Sequence, residues 1–256
     1  MVQANRPAFD ALAEWYDHAL RTGELPLFNH VLYPCMLEIL GDVKGQQILD
    51  VACGPGFLSR QIARRGAHVT GVDVSEEMLR RGREDGRSAP RPITYYEMDA
   101  AHLAQSWSGS FDVAICNMAM VDMPDIESVL AEMARVLKPG GRYIFSITHP
   151  CFVMPGAEWV DNNRGDPVFK RVDNYFDEGY FGKEWYGQGG LRSRLGGNHR
   201  TLQTYVRAIR QASFVLTDLR EPRPSAYALR TSKELNTQLR IPSMLVLEAT
   251  FILVPS

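Results

Sequence analysis

The chain predicts an α/β fold, a mostly parallel sheet with helices on both faces, and three observations carry that prediction. Between residues 41 and 150, short apolar runs alternate with helical stretches, as in strands that return through helical crossovers. The first run, Ile48 to Ala52, breaks into the glycine turn Cys53-Gly54-Pro55-Gly56 and then a helix from Phe57 to Arg65. Near the C-terminus, Phe214 to Leu219 and Met244 to Val254 alternate as two further strands.

Bulk properties set the bounds. A chain of 256 residues suits one large domain or a core with a cap. With 45% hydrophobic and 23% charged residues it carries ample apolar material for a core. Its net charge of -2 provides no basic field to recruit nucleic acid or anionic membrane. No apolar run approaches the roughly 18 residues that would span a bilayer, and MVQANRPAFD lacks the basic start and apolar core of a signal peptide. Cys35, Cys53, Cys116 and Cys151 are widely spaced, which reads as reduced thiols in a cytoplasmic protein. No His/Asp/Glu cluster has ligand spacing, so no metal is expected.

In chain order, Phe9, Leu12, Ala13 and Tyr16 recur at helical spacing, and Phe28 to Leu40 forms a second apolar-faced helix after the breaks at Gly23 and Pro26. Residues 1–40 thus form a helical cap. At the glycine turn, Gly54 and Gly56 lack a Cβ, so the backbone turns sharply and a ligand can lie against it. The helix behind the turn presents unpaired N–H groups and a partial positive charge, suited to the polar head of a nucleotide-like ligand. His68 to Val74 follows as a second strand. Its Asp73 lies about 20 residues beyond the glycines, where a Rossmann-like unit uses an acid to accept hydrogen bonds from ribose hydroxyls. Ser75-Glu76-Glu77 caps the next helix, and Asp125 to Lys138 is an amphipathic helix stopped by Pro139-Gly140-Gly141. Asp50 is unusual inside an apolar strand, because a buried carboxylate is costly unless paired. Dinucleotide sites favour a third glycine where this chain has Ser59, so the pyrophosphate fingerprint is incomplete.

DVACGPG followed by GVDVS resembles the class I S-adenosylmethionine-dependent methyltransferases. Met98-Asp99-Ala100 after a third strand, Phe111-Asp112-Val113-Ala114 opening a fourth, and Arg135-Val136-Leu137-Lys138-Pro139-Gly140-Gly141 leading into a fifth agree with it. The resemblance covers roughly residues 10 to 150. It implies a Rossmann-like seven-stranded sheet with an antiparallel last strand, and a core spanning residues 41–150 and completed by 199–256. It also implies that the turn of Ala52, Cys53, Gly54 and Gly56 receives the methionine end of S-adenosylmethionine. In the same family pattern Asp50 and Asn117, with Met118 beside it, lie near the cofactor ammonium. Asp73 and Val74 lie at the ribose, and Met78, Asp99 and Ala100 at the adenine. Trp15-Tyr16-Asp17 resembles the aromatic–Tyr–Asp stretch that opens many small-molecule members, where the tyrosine folds over the cofactor.

Residues 151–198 leave the strand–helix rhythm and are rich in glycine and aromatics: Trp159, Phe169, Tyr175, Phe176, Tyr180, Phe181, Trp185 and Tyr186. Their place after the fifth strand, above the carboxyl edge of the sheet, suggests a substrate-covering insertion; a surface loop with its own small core, or a dimer contact, is the alternative. His199-Arg200-Thr201 then opens a final helix, and the connection from Glu221 to Pro242 is expected partly over the site.

Methyl transfer from a sulfonium chiefly requires a positioned acceptor in a dry cavity. Where the acceptor needs a base, His149 at the end of the fifth strand and His199 at the exit of the insertion are the candidates, with Tyr16 as a further catalytic candidate. The expected activity is methylation of an oxygen, nitrogen or carbon atom on a small aromatic or amphipathic acceptor, by a monomer or homodimer without nucleic-acid or membrane partners. The alternatives are an NAD-dependent oxidoreductase and a non-methylating cofactor binder or cyclase.

Overall fold

The computed structural model describes residues 6–86, 92–182 and 191–253. Its centre is a seven-stranded sheet. β1 (Gln47–Val51), β2 (His68–Asp73), β3 (Thr94–Glu97), β4 (Phe111–Asn117) and β5 (Leu137–Thr148) run parallel. β10 (Phe214–Arg220) and β11 (Met244–Phe251) close it, β11 lying antiparallel to both β10 and β5. The order is β10-β11-β5-β4-β1-β2-β3, so the strand order reverses between β4 and β1 and opens a crevice at their carboxyl ends.

Both faces are buried, and strict alternation divides the strands between them. Leu49, Ala114, Tyr143, Phe145, Leu245 and Leu247 point to one apolar layer, beneath α5 (Ile126–Val136) and α7 (Leu202–Gln211). Ile48, Val113, Ile115, Ile144 and Val246 point to the other, beneath α2 (Tyr33–Leu40) and α3 (Phe57–Arg64). α1 (Arg6–Thr22) packs on α4 (Glu76–Gly86), and one wide π-type turn, Phe28–Leu32, leads into α2. Helix starts follow their capping chemistry. The Met78 N–H donates to Ser75 Oγ, Ser128 N–H to Asp125 Oδ1 and Thr204 N–H to Thr201 Oγ1, at 3.2, 2.9 and 3.2 Å.

Several expectations change. α5 ends at Val136, and Leu137 to Gly141 already belong to β5, because the backbone turns extended at Leu137 before the glycines are reached. His199 ends a strand instead of opening a helix: β9 (Gly197–His199) pairs with β8 (Gly179–Phe181), and Thr201 caps α7. The insertion also holds the hairpin β6 (Glu158–Asp161) with β7 (Pro167–Arg171), and the single turn α6 (Arg192–Leu195). The connection after β10, with α8 (Ala226–Thr231), packs Ala228 and Leu235 against Val31 of the N-terminal cap.

Candidate active site

The crevice between β1 and β4 holds a cavity of about 470 Å³. Its floor comes from strand ends: Ala52 and Gly54 after β1, Asp73 and Val74 at β2, Met98 to His102 after β3, and Asn117 to Ala119 at the end of β4. Tyr16 and Phe9 of α1 cover it, with Met78, Asp122 to Asp125, Ser128, Val129 and Leu191 completing the lining. Ala52 and Met118, neither of them glycine, have φ of 52° and 60°. Left-handed backbone at a residue with a Cβ is strained, and of the four such non-glycine residues described these two face the cavity.

The two glycines divide their work. Gly54 (φ 55°) lies open to the cavity, where a Cβ would meet only Tyr16 Cε1 at 3.7 Å. Gly56 (φ 69°) does not line it: a Cβ there would fall 2.1 Å from Tyr95 Oη. The second glycine is therefore required by packing against Tyr95, not by ligand approach.

Asp73 is built into this turn. Its Oδ2 accepts the Gly54 N–H at 2.8 Å and its Oδ1 the Ser75 N–H at 2.9 Å. Burial outweighs those bonds and pushes the carboxyl up to about 6. Asp50 lies in a small recess adjoining the cavity, with Cys53, Tyr16, Tyr33 and Asn117. It is 1% exposed and accepts the Ser59 hydroxyl. Burial first, then the nearby Asp73 charge, raises its pKa to about 7 despite that bond. Ser59, which occupies the third-glycine position, thus serves Asp50. A fully buried carboxylate with one hydroxyl partner leaves most of its acceptor capacity and its charge uncompensated. A ligand ammonium would supply both, so the recess fits the amino-acid end of S-adenosylmethionine.

Tyr16 borders both spaces. Burial pushes its phenol well above the ordinary range, against the pull of the Arg192 charge and a hydrogen bond from Tyr33. Ser146 Oγ orders the end of β4, donating to Asn117 Oδ1 at 3.0 Å and accepting the Met118 N–H at 2.9 Å. At the far rim Asp99 accepts the Ala101 N–H at 2.9 Å, with His102 Nδ1 3.6 Å from its carboxylate. Of the thirteen residues that the sequence assigns to the cofactor, ten line the main cavity, and Asp50 and Cys53 line the recess.

The two histidines are a correction. Neither lines the cavity. His149 Nδ1 accepts the Cys151 N–H at 3.2 Å, so Nε2 carries the proton and donates to Glu221 Oε1 at 3.0 Å. Both nitrogens are thus engaged, and burial pulls the pKa below the usual histidine range. His199 Nε2 donates to the Tyr175 carbonyl at 2.8 Å. His149 thus links the end of β5 to Glu221 beyond β10, and His199 links the end of β9 to Tyr175 of the insertion. The insertion's described aromatics also miss the cavity: Phe169, Phe176 and Tyr180 are exposed, and Leu191 is the insertion's contribution among the described residues. Trp185 and Tyr186 lie outside the described residues. No residue of the Glu221 to Pro242 connection lines the cavity. Sequence reasoning missed His102, Asp122, Met123, Pro124 and Leu191; the signal for Asp122 to Pro124 was their position after the strand at which the order reverses, and for His102 its place after the third strand beside Asp99.

Comparison with known proteins gives the family. The family described as "Methyltransferase domain" matches residues 48–141. A ubiquinone biosynthesis O-methyltransferase from Bordetella avium is 33% identical over 164 residues, 62% of this chain and 68% of that protein. One from Hahella chejuensis is 37% identical over 139 residues, 51% of this chain and 58% of that protein, so less than two thirds of its length is spanned. The crystal structure of an S-adenosylmethionine-dependent methyltransferase from Mesorhizobium loti superposes with a TM-score of 0.73 at 29% identity, over 85% of this chain and 96% of that one. The chain belongs to the class I S-adenosylmethionine-dependent methyltransferases. Its cofactor is accordingly S-adenosylmethionine.

Proposed function

We propose that this methyltransferase transfers the methyl group to an oxygen of a small, largely apolar acceptor, and that the cavity divides into a cofactor half and an acceptor half. The observation that carries the division is the pair of buried acids at the glycine turn. Asp50 is the seat for an ammonium and Asp73 for a ribose diol, with Asp99 and Ala100 set for an adenine edge. That leaves Phe9, Met123, Pro124 and Leu191 for the acceptor, apolar surfaces suited to a ring or a hydrocarbon. The curated relatives named as O-methyltransferases support oxygen as the receiving atom.

When bound, S-adenosylmethionine supplies a methyl group already activated on a sulfonium. The protein's part is to bind, orient and keep water out. Asp73 holds the turn through the Gly54 N–H while leaving acceptor capacity for two hydroxyls. Tyr16 folds over the turn and closes the α1 side; its raised pKa keeps the phenol protonated, so it acts as a cover and hydrogen-bond donor, not as a base. The insertion covers the acceptor end through Leu191. Four free cysteines support a reducing, cytoplasmic setting, and no described helix is long and apolar enough to cross a membrane. The antiparallel β11 and the serine at the third-glycine position speak against an NAD-dependent oxidoreductase.

The test is incubation with methyl-labelled cofactor and parallel sets of phenols, amines and carboxylic acids. Label on an oxygen, of phenols or of carboxylic acids, is the expected result; label confined to amines, or on none, would overturn the acceptor assignment.

A further inference from the structure

The cavity wall that follows β4, residues 118–125, has no ladder of its own, yet Met120 and Val121 are buried. Buried carbonyls need donors, and here they come from far along the chain. The Asn198 N–H and its side-chain amide both donate to the Val121 carbonyl, at 2.7 and 3.0 Å. The Arg200 guanidinium donates to the carbonyls of Met120, Met123 and Pro124, at 3.4, 2.6 and 2.9 Å. Arg192 grips both oxygens of Asp122, Nη2 reaching Oδ2 at 2.8 Å, and also donates to the Gly196 carbonyl at 2.8 Å. Arg194 lies over the Trp15 ring at 4.0 Å, joining the same segment to the helix that carries Phe9 and Tyr16.

These contacts converge on one half of the cavity. Asp122, Met123 and Pro124 of the wall, and Leu191 at the start of the segment, are lining residues. The glycine turn, Asp50 and Asp73 receive no bond from it among the contacts described. A planar guanidinium that satisfies three carbonyls fixes their relative positions; a lysine, a point charge on a flexible stem, does not reproduce the fork.

We propose that residues 191–200 form a strap that positions the acceptor wall, and that Arg200, with Arg192, is a positioning residue setting acceptor affinity without touching the cofactor. This rests on the reading that Asp122 to Pro124 and Leu191 line the acceptor side of the cavity, Met118 remaining on the cofactor side.

The test uses the full chain with R200K and R192Q made separately, so that misfolding of one leaves the other. S-adenosylhomocysteine binding is measured by calorimetry, amide hydrogen exchange is followed across residues 118–125, and KM and kcat are measured with catechol. The strap predicts S-adenosylhomocysteine affinity within about twofold of wild type in R200K, and in both variants about tenfold faster exchange at 118–125 and KM raised about tenfold with a smaller change in kcat. Equal loss of cofactor affinity, or unchanged exchange at 118–125, overturns the proposal. If the wild type leaves catechol unmethylated, that bears on the acceptor reading alone; the exchange and cofactor measurements still decide the strap.

Discussion

Asp50→Asn is expected to make the ligand-free protein more stable and a worse cofactor binder. The unfolded carboxyl ionises near 3.8, whereas in the folded, ligand-free protein burial holds it protonated to about 7. Between those values the native state binds more protons than the unfolded one, so stability falls as pH rises from about 4 to about 7. Three pH units at about 1.4 kcal/mol each amount to roughly 4 kcal/mol forfeited at pH 8 relative to a neutral group of that shape. The asparagine amide must itself be buried, at a cost of about 1–3 kcal/mol if poorly bonded. A net gain of roughly 1–3 kcal/mol at pH 8 remains, shrinking toward zero at pH 6. The same change removes the counter-charge for the cofactor ammonium, worth about 1.5–3 kcal/mol, and should weaken S-adenosylhomocysteine binding about 10- to 100-fold. Urea unfolding at both pH values, paired with calorimetric titration, measures both effects. A variant less stable than wild type at pH 8, or one that binds S-adenosylhomocysteine unchanged, would refute the reasoning.

Wild-type binding of S-adenosylhomocysteine should weaken by up to about tenfold per pH unit below 7, with proton release on binding near pH 6, because the ligand favours the ionised carboxylates; calorimetry in buffers of different ionisation enthalpy detects it, and a flat profile counts against the pairing. Asp73→Ala should weaken cofactor binding by about 1–3 kcal/mol, and unchanged affinity would remove the ribose assignment. Gly56→Ala should destabilise the fold by more than about 1 kcal/mol, from its positive φ and the Tyr95 hydroxyl in the way of a Cβ; an unaltered melting temperature would contradict the packing reason given for that glycine. His149→Gln should retain kcat within about threefold while losing roughly 1 kcal/mol of stability with the Glu221 bond. A loss of activity of several hundredfold at full cofactor affinity would restore the histidine as a base.

What the sequence made legible was local. β1, β2 and the closing strands announced themselves through apolar periodicity, the turn through its glycines, and α5 through Asp125 ahead of an amphipathic face. Asp73 was readable because its chemistry depends on spacing from that turn. The parts that escaped depend on partners distant in the chain. Gly56 answers to Tyr95, His149 to Glu221, and the wall at Met120 to Pro124 answers to Arg200, pairings that no periodicity encodes. The insertion misled for a related reason. Aromatic content announces a need for burial, but not which surface meets it: Trp159 spends its ring on Lys170 and Arg240, while Phe176 stays exposed.

The position of the cofactor is the most direct test. A crystal structure with S-adenosylhomocysteine should show its amino group at Asp50, its ribose hydroxyls on Asp73 and its adenine beside Asp99 and Ala100. Density elsewhere, or a ligand whose sugar leaves Asp73 uncontacted, would contradict it.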